Sequence, residues 1–275
     1  MFSLKSDRDI RTEKGSADGV PLLILRPKEQ KEPGPAVLWI HGGGYILGMK
    51  EMVHMSRAVD LVKRFGAMVI SPGYRLALRA PYPAAVEDCY KALLYLKEHA
   101  AGLGARDDQI MVGGESAGGG LTAALCMMAR DRGEVKIAFQ MPLYPMLDDR
   151  DTPSSRDNHG RVWNTRRNHI GWNLYLRGTD RDLLSPYASP AHQADYSGLP
   201  PAYTFVGKGE PFYCETLEYV RLLKEAGVPA KADVYDTDIH AFDMLVPEGE
   251  ISQKAAARFR EEFAWAVELY FAPQS

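Results

Sequence analysis

Short, continuously apolar runs alternate along this chain with longer stretches whose apolar positions step by three and four. Val20–Pro27 is apolar at nearly every position and closed by proline, and Ala36–Ile40 (AVLWI) is apolar throughout. Ala67–Ser71, Gln109–Val112, Ile137–Tyr144 and Pro201–Val206 are largely apolar in the same way, and Ala230–Tyr235 reads as a further strand. Runs of this length without alternation predict strands covered on both faces. Between them the period changes. Val86, Cys89, Leu93, Leu96 and Ala100 step by 3, 4, 3 and 4, which predicts a helix over 84–100 with one buried face. Helices are predicted likewise around Met55–Phe65, over Leu121–Arg130 and Phe212–Ala226, and in the closing segment, where Phe259, Phe263, Val267 and Tyr270 form the stripe. Residues 1–19 are polar and read as an edge strand or an ordered arm. Strands alternating with helices predict the α/β class, a mostly parallel sheet with helices on both faces.

One segment departs from this rhythm. Residues 153–201 hold several prolines, the tryptophans Trp163 and Trp172, and five Asn or His residues between Asn158 and His169. They read as a small lid insertion carrying one helix over Thr165–Leu176. No repeat or linker divides the remainder, so residues 1–275 are expected to form one domain. With 45% hydrophobic residues the chain can bury a sizeable core. A net charge of −3 gives no pull toward nucleic acid or an anionic membrane. No run has transmembrane length and the first residues lack the apolar core of a signal peptide, so a cytoplasmic location is expected. Cys89, Cys126 and Cys214 are odd in number and lack CxxC spacing, which points to reduced thiols. No HExxH occurs among the seven histidines, and neither a metal nor a cofactor is expected.

The candidate chemistry lies at strand ends. Gly114-Glu115-Ser116-Ala117-Gly118 joins the 109–112 strand to the 121–130 helix, the Gly-x-Ser-x-Gly context of a nucleophile elbow. Such a turn puts Ser116 at the positive end of a helix dipole, where developing negative charge is favoured. The plainer reading is a glycine-rich turn. His41-Gly42-Gly43-Gly44 leaves the 36–40 strand, and its side-chain-free backbone offers N–H donors. With the Ala117 N–H they would stabilise an oxyanion formed at Ser116 by several kcal/mol. Alternatively, three glycines simply let one backbone pass close to another. His41 is expected to make a structural hydrogen bond. A serine nucleophile needs a base and the base an orienting carboxylate, in the chain order serine, acid, histidine. His240, in the loop after the last strand, is the chosen base. Glu210, where the 201–206 strand gives way to a helix, is the chosen acid, with Asp236, Asp238 and Glu215 as rivals. No base sits in a recognisable pattern near the Cys214 thiol.

From about Ala36 onward the chain resembles the hormone-sensitive-lipase-like esterases, the bacterial family-IV carboxylesterases of the α/β-hydrolase fold. The resemblance is carried by His-Gly-Gly-Gly-Tyr at 41–45, Tyr-Arg-Leu-Ala at 74–77, Pro-Ala-Ala at 83–85 with Asp88, and Gly-Glu-Ser-Ala-Gly at 114–118. Tyr-Pro-Met-Leu-Asp at 144–148 and Ile-His-Ala-Phe at 239–242 extend it. It implies Ser116 as nucleophile, His240 as base, and Gly43, Gly44, Ala117 and Gly42 as the oxyanion set, with Glu115 supporting the turn. Three departures stand out. Glu210 occupies the position where the family usually has Asp, Leu78-Arg79 replaces Pro-Glu, and the glycine run lies close to the start of the chain. The last implies a reduced lid and a pocket shaped mainly by 153–201, with Trp163 and Trp172 as walls or as packing. The implied activity is hydrolysis of small, short-acyl esters, with acetylated sugars as one natural class. An arylformamidase-like amidase and a catalytically silent ligand-binding hydrolase fold are the alternatives. Pairing of two copies through the last strand and helix, as relatives often show, stays open.

Overall fold

The computed structural model describes residues 8–30 and 32–274. Strand β1 (Ile10–Ala17) folds back onto β2 (Val20–Pro27) through Asp18-Gly19, both at positive φ. The edge strand expected within residues 1–19 is thus β1, and residues 1–7 lie outside the described part. There follow β3 (Gly34–Ile40), α1 (Ala58–Phe65), β4 (Met68–Pro72), α2 (Ala84–His99), β5 (Ala105–Glu115) and α3 (Ala117–Arg132). The second half holds β6 (Phe139–Leu143), α4 (Thr165–Tyr175), β7 (Ala202–Gly207), α5 (Tyr213–Glu225), β8 (Ala230–Tyr235), α6 (Phe242–Leu245) and α7 (Glu250–Leu269). The eight strands form one sheet in the order β1-β2-β4-β3-β5-β6-β7-β8. β1, β2 and β4 pair antiparallel, and every pair from β4 through β3 to β8 is parallel.

The continuously apolar runs are explained by helices on both faces. In β3 every residue is buried. Leu38 and Ile40 face α2 and α3, whereas Val37 and Trp39 face the layer of α1 and α7. The predicted stripe of α2 is fully buried, from Val86 to Ala100. α3 is covered on every side, with all residues from Ala117 to Ala129 buried, so its composition of Ala, Gly, Leu and Met has no polar face to reveal.

Two boundaries differ from expectation for physical reasons. The helix expected around Met55–Phe65 is a 3-10 turn over Lys50–Met55 followed by α1. Ser56 is extended between them, and its Oγ accepts the Ala58 N–H at 3.1 Å, which starts a new helix there. The elbow strand is longer than its apolar run. Ala105 and Arg106 pair with Gly34 and Pro35, at a stretch whose charged residues disguise a strand. In the 153–201 segment, α4 is started by Asn164, whose side chain accepts the Arg167 N–H at 3.1 Å. Trp172 is buried against Tyr45 and Tyr175, whose rings stack 3.9 Å apart. It packs the segment onto the body and forms no wall.

Candidate active site

β3 and β5 are parallel neighbours with Ile40 opposite Gly114, so the loops leaving their carboxyl ends share one edge of the sheet. Ser116 sits on the β5–α3 turn at φ 56° and ψ −118°, a region that costs a non-glycine residue about 1–3 kcal/mol. The surroundings hold it there. Its N–H donates to Leu143 O at 3.0 Å, and its carbonyl accepts from Met146 N at 3.0 Å and Gly120 N at 2.9 Å. The flanking glycines are required by contact. A Cβ on Gly118 would lie 2.0 Å from the Ile40 carbonyl oxygen, and one on Gly114 would lie 2.4 Å from it.

The other two elements of the constellation come from the far end of the sheet. β7 and β8 pair in parallel to their last residues, and the loops beyond them continue the pairing. Lys208 N donates to Tyr235 O at 2.8 Å and Gly209 N to Thr237 O at 3.0 Å. This brings Glu210 under His240. Glu210 Oε2 lies 2.5 Å from His240 Nδ1, and its Oε1 accepts the Gly207 N–H at 2.6 Å. His240 Nε2 lies 2.9 Å from Ser116 Oγ. With the imidazole proton on Nδ1, Nε2 is free to accept from the serine hydroxyl. Glu210 is fully buried, and burial pushes its carboxyl above the ordinary range, while the bonds from His240 and Gly207 pull it down. Phe212 and Tyr144 set their rings edge-on around His240, with centroids 5.1 and 5.2 Å away. The rival acids are elsewhere. Asp236 and Asp238 are exposed, and Glu215 Oε1 is taken by the Leu147 N–H at 2.7 Å.

Gly42 lies flush against the serine, since a Cβ there would come 3.2 Å from Ser116 Cβ. Gly43 and Gly44 follow at φ 117° and 59°. Among the described residues, none of the N–H groups of Gly43, Gly44 and Ala117 donates to a protein acceptor. Unpaired N–H groups are the kind of donor a developing oxyanion needs. His41 turns away from the reaction. Its Nδ1 donates to Gly42 O at 2.8 Å and its ring stacks on Tyr74, while burial lowers its pKa to about 4 and keeps it neutral.

Sequence reasoning missed the groups behind the site. Asp243, three residues after His240 and fully buried, accepts from Tyr144 OH at 2.8 Å and pairs with Arg57 Nε at 3.1 Å. Ser154 and Asn158 reach the acid loop, donating to Pro211 O at 2.8 Å and Gly209 O at 3.0 Å. No local motif marks these contacts, which join distant parts of the chain. Glu115, facing away from the pocket, accepts the Trp39 Nε1–H at 2.8 Å. Burial, reinforced by nearby Asp243, raises its pKa to about 8 from an ordinary 4.5. A carboxyl raised on folding favours the folded state fully below its unfolded pKa, and that contribution is lost as pH rises toward 8. Thermal melts of Glu115→Gln, whose amide oxygen can still accept from Trp39, should therefore lie above wild type at pH 8. The two should converge near pH 5, with about 2–4 °C of difference per kcal/mol for a chain of this size.

Asp148, Asp149 and His192 lie close enough to share a cation. Their atoms are already engaged, Asp148 with Arg150 at 2.8 Å and Asp149 with His192 at 2.7 Å. No helix among the described residues is long and apolar enough to cross a membrane.

The chain has counterparts among known proteins. A family model described as alpha/beta hydrolase fold matches residues 37–244. Over 241 residues the chain is 33% identical to the carboxylesterase NlhH of Mycobacterium tuberculosis, covering 83% of this chain and 73% of that one. The chain belongs to the hormone-sensitive-lipase-like branch of the α/β hydrolases. Another relative in this branch, esterase LipI of the same species, is 34% identical over 211 residues, or 76% of this chain. The chain spans 65% of LipI's length, under two thirds. The solved structure of a bacterial heroin esterase matches this α/β hydrolase with a TM-score of 0.91 at 34% identity, covering 96% of this chain and 87% of that one.

Proposed function

We propose that the protein is a serine carboxylesterase acting on small, short-acyl esters, with Ser116 as nucleophile, His240 as base and Glu210 as its orienting acid. The observation that carries this reading is the continuous relay from Glu210 Oε2 through His240 to Ser116 Oγ, with steps of 2.5 and 2.9 Å. The catalytically silent alternative needs a broken relay, and this one is intact.

In the reaction, Ser116 Oγ attacks the ester carbonyl carbon as its proton passes to His240 Nε2. The carbonyl oxygen becomes an oxyanion facing the N–H groups of Gly43, Gly44 and Ala117, with Gly42 keeping the loop against the serine. Collapse expels the alkoxide, which leaves as the alcohol after taking the proton from His240. Water then attacks the acyl-Ser116 ester, giving its proton to His240, and collapse returns that proton to Ser116 Oγ and frees the carboxylic acid. Buried Glu210 holds the imidazole orientation and stabilises the imidazolium at both stages. Removing oxyanion donors from such a site costs about 3–4 kcal/mol each in characterised hydrolases.

Hydrolysis of p-nitrophenyl acetate, butyrate and octanoate tests the reading. Acetate should be turned over readily, and kcat/KM should fall with chain length to less than a tenth at octanoate. Turnover of N-formylkynurenine without turnover of any ester would instead assign the same relay to an amidase.

A further inference from the structure

We infer that Trp163 sets the acyl-length limit of this enzyme by closing the space over the oxyanion loop, an inference that rests on the esterase reading above. The indole lies directly on Gly44. A Cβ built on that glycine would stand 2.1 Å from Trp163 Cη2 and 2.6 Å from Cζ2, so the ring and any side chain at 44 exclude each other. α4 meets Gly44 at the same edge of the ring, where a Cβ on Gly171 would be 3.5 Å from Cζ2 and 3.0 Å from the Gly44 carbonyl oxygen. Two glycines from separate parts of the chain thus make room for one flat ring. Trp163 Nε1 donates to Asn168 Oδ1 at 3.3 Å, which ties the indole to α4 and leaves an apolar edge toward the site.

The position of the ring decides which part of a substrate meets it. A tetrahedral carbon on Ser116 Oγ carries three other substituents. Its oxyanion must point at the Gly43 and Gly44 N–H groups, and its alkoxy oxygen must lie within hydrogen-bond reach of His240 Nε2. The acyl chain takes the direction that remains. The indole touches the oxyanion loop, while its centroid is 6.5 Å from that of His240. Its direct contact with Gly44 assigns it to the acyl side, and its nearness to His240 makes the alcohol series the necessary control. Ser116 and His240 are only 5% and 4% exposed, so a ring seated beside them bears directly on what reaches the serine. Trp172, the other tryptophan of the segment, is packed among Tyr45 and Tyr175 and has no part in this boundary.

The test compares kcat/KM along two substrate series in wild type, Trp163→Ala, Trp163→Phe and Trp172→Phe. One series lengthens the acyl group from acetate to octanoate on p-nitrophenol, and the other enlarges the alcohol of acetyl esters. In Trp163→Ala the octanoate-to-acetate ratio should rise on the order of 10-fold or more, the scale on which a hydrophobic pocket discriminates methylenes. Trp163→Phe, a smaller ring, should give a rise of at least about twofold in the same direction. Trp172→Phe should lower the melting temperature and leave the ratio unchanged. An unchanged ratio in folded Trp163→Ala overturns the inference, as does a change confined to the alcohol series. If the alanine variant does not fold, Trp163→Phe decides by the same criteria. Absence of ester turnover in wild type would reject the esterase reading instead, a result distinct from an unchanged ratio in an active enzyme.

Discussion

Ser116→Ala should lower kcat for p-nitrophenyl acetate by a factor on the order of 10⁴–10⁶, the range seen when the serine of such a relay is removed. The fold should survive this change. The Oγ is bonded to His240, while the turn is held by backbone bonds to Leu143, Met146 and Gly120 that alanine retains. The alanine also inherits the same positive φ, so the melting temperature should move little. Labelling with a serine-directed fluorophosphonate, read by mass spectrometry, should mark Ser116 in wild type and nothing in the variant. Activity retained within tenfold of wild type, or label on another residue, would place the nucleophile elsewhere.

The second large effect concerns the acid. Glu210→Gln should reduce kcat on the order of 10³–10⁴-fold, because an amide N–H facing Nδ1 holds the imidazole in the wrong tautomer and a neutral group does not stabilise the imidazolium. Asp238→Asn, at an exposed position, should retain full activity. Glu210→Asp is the sharper comparison, since it restores the residue usual in the family. The backbone here is set for the longer side chain, with one carboxylate oxygen 2.5 Å from His240 Nδ1 and the other 2.6 Å from Gly207 N. Withdrawing the carboxyl by about 1.5 Å, one C–C bond, cannot preserve both contacts. A misplacement of this size costs roughly 10²-fold in positioned catalysis. Steady-state kinetics of the three variants check the ranking, and a fully active Glu210→Gln would overturn the choice of acid.

Two departures from the family pattern can be followed in the structure. Glu210 replaces aspartate without losing the histidine, because the loop pairing of Lys208 and Gly209 with Tyr235 and Thr237 places both side chains. Leu78 and Arg79 are exposed at a distance from the relay, and no structural consequence of that replacement is evident. Trp163 and Trp172, equivalent as sequence, have opposite surroundings: one lies against the oxyanion loop and the other inside an aromatic stack.

Whatever depends on near neighbours in the chain could be read directly. Apolar runs, the stripe of α2, the strand-turn-helix around Ser116 and the glycines at 42–44 are patterns of a few residues, each governed by local burial and backbone sterics. Glu210 and His240 can be picked from the sequence as residues that follow strands, but no local pattern shows that they meet each other or Ser116. Strand order brings them together, by setting β3 beside β5 and β7 beside β8 and so gathering four loop ends at one edge. The Arg57–Asp243 contact, spanning 186 residues, and the seating of Trp163 on Gly44 have the same origin. Such contacts arise when separate elements are pressed together to bury their apolar faces, and no short stretch of sequence carries a record of its eventual neighbour.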